Sequence, residues 1–121
     1  MPLTITRADG AKHRFTVEVA RTIEQQSQGL MNRQSLAPDR GMIFPYDPPV
    51  AASFWMKNTL IPLDMIFIRT DGTIARIEEN TAPLSLDPIS AGEPVAAVLE
   101  LAGGRSAALG IVAGARVDWA R

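Results

Sequence analysis

Apolar and polar positions alternate with period two along much of the chain, the pattern of half-buried strands. Leu3 to Arg7 alternates, as does His13 to Val19, where Phe15, Val17 and Val19 share one face. Between them, Ala8-Asp9-Gly10-Ala11 holds an Asp-Gly pair, which favours a tight turn, so the chain opens on an antiparallel hairpin. Met42-Ile43-Phe44 is a short apolar run read as a strand. Pro45-Tyr46-Asp47-Pro48-Pro49 then has three prolines in five positions, which withhold backbone donors and predict a rigid exposed loop. Ala52 to Met56 predicts a strand with Phe54 and Met56 on one side and Trp55 on the other, the side Lys57 shares. Lys57-Asn58-Thr59 is turn chemistry. Leu63 to Arg69 is apolar on both faces, as a central strand would be, with Asp64 the exception. Thr70-Asp71-Gly72-Thr73 is a second Asp-Gly turn, returning through Ile74 to Glu79. Asn80 to Pro94 reads as an irregular crossing. Val95 to Leu101 is again an apolar strand, broken only by Glu100, and Arg116 to Trp119 is the last.

Helical signals are few. Thr22-Ile23-Glu24-Gln25 fits a capping box, with Gln25 reaching back to Thr22, and predicts a short helix to about Met31. Gly29 within it weakens the helix or admits the close approach of another element. Arg105 to Leu109 allows one or two turns ended by Gly110. The expected fold is mostly β: an antiparallel sandwich or partly open barrel of about seven short strands with one or two short helices.

Composition narrows the possibilities. A chain of 121 residues that is 46% hydrophobic is one domain, 1–121, able to build a real core. Twelve basic residues against thirteen acidic give a net charge of −1, so no pull toward nucleic acid or an anionic membrane is expected. No apolar run is long enough for a membrane span. Cysteine is absent, which excludes disulfides, thiolate-bound metal and thiol catalysis. The chain has no nucleophile elbow, phosphate loop, dinucleotide fingerprint or histidine-rich zinc pattern. Neither a metal nor a cofactor is expected. Met31, Met42, Met56 and Met65 could hold a soft ion, but methionine is first a filler of core gaps, and core packing is the preferred reading.

The candidates for chemistry cluster around one turn. Asp64 heads an apolar strand, where an unpaired carboxylate would be costly. Lys57 or Arg33 could hold it ionised as a ligand-binding or general-base carboxylate, but the preferred reading is a structural acceptor capping the Asn58-Thr59 turn. Glu100 poses the same question, with a solvent-facing position at a strand end preferred. Trp55 and Lys57 on one face would make a platform for a ring or a partner side chain; equally, Trp55 covers the core while Lys57 reaches past it to water. His13, the single histidine, is read as a solvated strand residue.

Gly29-Leu30-Met31-x-Arg33, Gly41-Met42-x-Phe44, and Phe54-Trp55-Met56-Lys57-Asn58-Thr59-x-Ile61-Pro62-Leu63-Asp64 together resemble the family called domain of unknown function 192. Val98-Leu99-Glu100-Leu101 and the Gly110 to Val117 segment extend the likeness over nearly the whole chain. The pattern carries an acidic residue where this chain has Ala115, so no ligand role is carried over to that turn. The resemblance implies a small, mostly-β bacterial or archaeal domain. It also implies an exported or periplasmic location if a leader precedes Met1, and a cytoplasmic one otherwise. The family's activity is unassigned, so the likeness offers a site location without a reaction: Arg33, Trp55, Lys57, Asn58, Thr59 and Asp64, with Glu100 as a further position.

The leading expectation is therefore a binding domain with a polar and aromatic cleft for a small molecule or a peptide segment. Trp55 would be the platform, Lys57 and Arg33 would meet an anionic group, and Asn58, Thr59 and Asp64 would orient it. One alternative is a hydrolase or lyase using Asp64, alone or with Glu100, as acid and base, with Lys57 as electrostatic stabiliser. The other is a structural motif, with function in protein–protein contacts.

Overall fold

Both Asp-Gly turns form as their sequences predict. Gly10 adopts φ 89° and Asp9 accepts the Ala11 amide, folding β1 (Pro2–Thr6) back antiparallel on β2 (Lys12–Val19). At the second turn Asp71 accepts both the amide and the hydroxyl of Thr73, joining β5 (Leu63–Ile68) to β6 (Ile74–Glu78). The structure, a computed structural model, describes residues 1–121. Its other elements are α1 (Ile23–Gln28), β3 (Arg40–Val50), β4 (Ser53–Phe54), β7 (Ile89–Ser90), β8 (Val95–Ala102), α2 (Arg105–Ala108) and β9 (Arg116–Trp119). The capping box at Thr22 is complete, with Gln25 donating its amide to the Thr22 hydroxyl and accepting the Thr22 amide.

Seven strands form one sheet in the order β6-β5-β8-β3-β2-β1-β9, while β4 and β7 pair separately. The large sheet curls until its two ends touch. Thr73 bridges Arg116, Ile74 donates to the Ala115 carbonyl at 2.9 Å, and Val117 donates to Gly72 at 2.8 Å. This is a partly open barrel, mostly β, with two short helices.

Four details differ from the sequence reading. First, β2 and β3 run parallel, from Thr16 opposite Arg40 to Val19 opposite Ile43. Residues 20–39, including α1, carry the chain back to the same end of the sheet, and such a crossover is what a parallel pair requires. Second, β3 continues through the proline segment instead of ending at Phe44. Its register against β8 shifts between Pro45 and Val50, so Pro48 and Pro49 occupy an irregularity where no ladder donor is needed. Third, the 80–94 crossing contains β7, which pairs with a β4 shorter than expected. His13 also shares the face of Phe15, opposite Ile5, and its Nε2 is buried with no partner.

The curl separates two apolar clusters. Inside it lie Ile5, Phe15, Ile43, Ile66, Ile68 and Leu99 among others. The outer face of β3, β5 and β8 carries a second cluster, with Met42, Phe44, Met56, Met65 and Phe67, which is covered by the segments around α1 and β4. The three methionines there are core fillers, as the sequence suggested. Because β5 is buried on both faces, its one carboxylate must be satisfied within the protein.

Gly41 sets the spacing between β3 and β8. A Cβ there would lie 2.5 Å from the Glu100 carbonyl oxygen and 2.8 Å from Leu101 Cδ2. Gly41→Ala should therefore force the two strands apart and cost about 2 kcal/mol. A urea melt would measure this, and an unchanged midpoint would contradict the close approach.

Candidate functional site

Asp64 is fully buried, and neither Lys57 nor Arg33 reaches it. Its Oδ1 accepts the amides of Asn80 at 3.0 Å and Gly104 at 2.9 Å. Oδ2 accepts the Ser106 amide at 2.9 Å and the Ser106 hydroxyl at 2.5 Å. The carboxylate thus caps α2 from another strand, doing for that helix what a local N-cap residue would do. The sequence reading preferred a structural acceptor at the Asn58-Thr59 turn; Asp64 is a structural acceptor, but its donors come from Asn80, Gly104 and Ser106 instead. The nearest sequence neighbours of an acidic side chain say little here, because the donors arrive from 16 to 42 residues away.

Glu100 lies on the opposite side of the sheet. Register pairs Asp64 with Leu101, and Met65 with Glu100, and paired residues share a face while consecutive ones alternate. The two carboxyl groups therefore do not converge, and an acid–base couple between them has no geometry. Nor is Glu100 solvent-facing, as preferred from sequence: it is only 4% exposed. It sits between Met42 on β3 and Met65 on β5. No protein group hydrogen-bonds or pairs with its carboxyl, and burial alone pushes its pKa up to about 8.

Glu100 lines a cleft of about 300 Å³ between α1, β3 and the β4 region. Phe44, Tyr46, Phe54 and Trp55 supply aromatic walls, and Gln26 and Thr59 add polar groups. Phe44 and Phe54 meet edge to face with centroids 5.1 Å apart. Gln26 anchors α1 by donating to the Ala20 carbonyl at 3.0 Å and to Pro45 at 3.3 Å. Gly29 lets the helix end sit against the Phe44 ring: a Cβ would be 3.4 Å from it. That is the close approach suspected from sequence. Burial, and then the charge of Glu100, push the Tyr46 phenol up to about 12.

The other residues singled out from sequence divide around this cleft. Trp55 is 48% exposed, and Lys57 Nζ stands 5.1 Å from its ring centroid. Thr59 is buried, with its hydroxyl donating to the Lys57 carbonyl at 3.2 Å. Asn58 takes a left-handed conformation, φ 54°, and its carbonyl accepts the Asn32 amide at 2.8 Å. Arg33, close in sequence to Asn32, turns instead to Glu18, donating through both terminal nitrogens. That contact holds the Glu18 carboxyl below its usual range. So Trp55, Thr59 and Glu100 line the cleft, Lys57 stacks on Trp55, and Arg33, Asn58 and Asp64 are outside its lining. Sequence reasoning missed Gln26, Phe44, Tyr46 and Phe54 as cleft residues. The only signals were Gly29 and the capping box, which located α1 without saying what it would cover.

A partly open β-barrel with a carboxyl-floored aromatic cleft on its outer face is the class that this fold and site define. The chain belongs to the DUF192 family, described as an uncharacterized ACR, whose profile matches residues 4–119. It is similar to a crystal structure of a protein of unknown function from Novosphingobium aromaticivorans DSM 12444. Identity is 45%, with 98% of this chain and 84% of that one covered and a TM-score of 0.94. It is equally similar to a structure from Sinorhizobium meliloti 1021 described as a proposed transcription regulator. There the identity is 45%, with 97% and 91% of the two chains covered and a TM-score of 0.94. A comparison with curated proteins returns no match. No helix is long and apolar enough to cross a membrane.

Proposed function

We propose that this is a binding domain whose ligand, a small molecule or a short peptide segment, enters the cleft beside α1. The observation that carries this reading is Glu100, a buried carboxyl without a protein partner at an aromatic cleft. Buried polar groups are normally paired, and one left open at a concave site calls for a partner from outside. Trp55 serves as the outer wall and Lys57 as its backing, while Phe44, Phe54 and Tyr46 receive apolar parts of the ligand.

The net charge of −1 and the pairing of Arg7, Arg33, Arg69 and Arg76 with acidic neighbours give no support to nucleic acid as the partner. Titrating a ligand library while following tryptophan fluorescence tests the reading. Trp55→Phe should remove most of the signal change and weaken binding about fivefold or more, as loss of a stacking wall does. Lys57→Ala should have a smaller effect. Hits that bind both variants as well as wild type would place binding elsewhere.

A further inference from the structure

The ligand's chemistry follows from what surrounds Glu100, and the inference rests on the cleft being the binding site. We infer that the cleft takes an organic ammonium group, with its N–H donors on the Glu100 carboxylate and its apolar body among Phe44, Tyr46, Phe54 and Trp55. Three observations meet here. The floor is acidic and unpaired, so an anion is disfavoured and the anionic ligand expected from Lys57 and Arg33 does not fit. The walls are four aromatic side chains, and an aromatic ring attracts a cation over its face, as Trp55 does Lys57. Finally, the protein's own nearby cations are committed elsewhere: Lys57 lies over Trp55 and Arg33 is held by Glu18. The positive charge that would complete the site must come with the ligand.

Proton bookkeeping gives the inference a signature. The elements packed around Glu100 present Met42 and Tyr46 from β3, Met65 from β5, Gln26 and Gln28 from the α1 side, and Thr59 from the turn. Of these only Tyr46 titrates, and it stays neutral until about pH 12. Glu100 is therefore the one group whose charge changes near neutrality. Burial holds it protonated below about pH 8, and an ammonium ion must displace that proton. Affinity for a permanently charged probe should rise as pH rises and level off above about 8.

Phenethylamine, charged throughout the range, and 2-phenylethanol, its uncharged counterpart, are the probes. Both are titrated by NMR into the folded protein at pH 6 and pH 8. The amine should bind about fifty-fold tighter at pH 8, from the rise in ionised Glu100, and the alcohol should change less than about twofold. Glu100→Gln, close in shape to the protonated acid, should lose about tenfold or more of the amine affinity at pH 8 and all of its pH dependence. It should keep the alcohol. If the alcohol binds wild type as tightly as the amine at pH 8, or Glu100→Gln holds the amine unchanged, the ammonium assignment is overturned and the cleft stands. If neither probe shifts the signals of Phe44, Phe54 or Trp55, the cleft reading falls with it.

Discussion

Glu100→Gln should make the protein more stable at alkaline pH, by on the order of 4 kcal/mol at pH 9, and leave it unchanged at pH 4. The sign follows from linkage. The folded state holds this carboxyl at about 8 against an ordinary value of 4.5. Below 4.5 both folded and unfolded chains carry the proton, so the contribution is constant. Between 4.5 and about 8 the unfolded chain releases it while the folded chain keeps it, and each pH unit costs about 1.4 kcal/mol of stability. Above 8 both are ionised, the folded one in a poorly solvated place without a partner, and the loss levels off. Glutamine has no proton to lose and avoids the whole cost. Urea melts of both proteins from pH 4 to pH 9 measure it. Parallel curves would mean that the carboxyl is solvated, and would sink both the stability argument and the cleft's acidic floor. The same cost is a reason to look for function, since a stability penalty kept at a concave site is the pattern of binding and catalytic groups.

Asp64→Ala should have the opposite character, a loss of about 4 kcal/mol or more that does not depend on a ligand. The side chain satisfies three backbone amides and one hydroxyl from two separate loops. Removing it strands these donors at the start of α2 and at Asn80, and each buried unsatisfied donor costs about 1–3 kcal/mol. Asp64→Asn should lose about half as much, because one oxygen can still accept while the amide group opposes a backbone N–H. In the fraction that remains folded, phenethylamine should bind as in wild type, because Asp64 and Glu100 face opposite sides of β5 and β8. A stable Asp64→Ala protein with altered binding would reverse these roles. The two acidic residues that look alike in sequence, each a lone charge in an apolar strand, thus divide into a structural acceptor and a candidate ligand group.

Much of the fold was legible because it is written locally. The Asp-Gly turns, the Thr22 capping box and the doubly apolar Leu63–Ile68 strand each depend on residues a few positions apart, and each formed. Alternation also sorted the central motif correctly, with Met56 buried and Trp55 exposed beside Lys57. Proline misled, since its missing donor excludes a regular ladder but not a strand with an irregularity such as β3. The parallel β2–β3 pair was hidden because a crossover's direction depends on where the sheet has room, which no short window records.

For the candidate site the division is sharper. The sequence by itself determined that Trp55, Lys57, Asn58, Thr59 and Asp64 lie near one turn, that no thiol or histidine-rich chemistry is present, and that two carboxylates interrupt apolar strands. Tertiary structure alone decided which carboxylate was satisfied. Asp64 meets donors 16 to 42 residues away, while Glu100 meets none and opens on a cleft that α1 completes. The physical reason is that strand periodicity assigns a side chain to a face, whereas the partners on that face are brought there by the curl of the sheet.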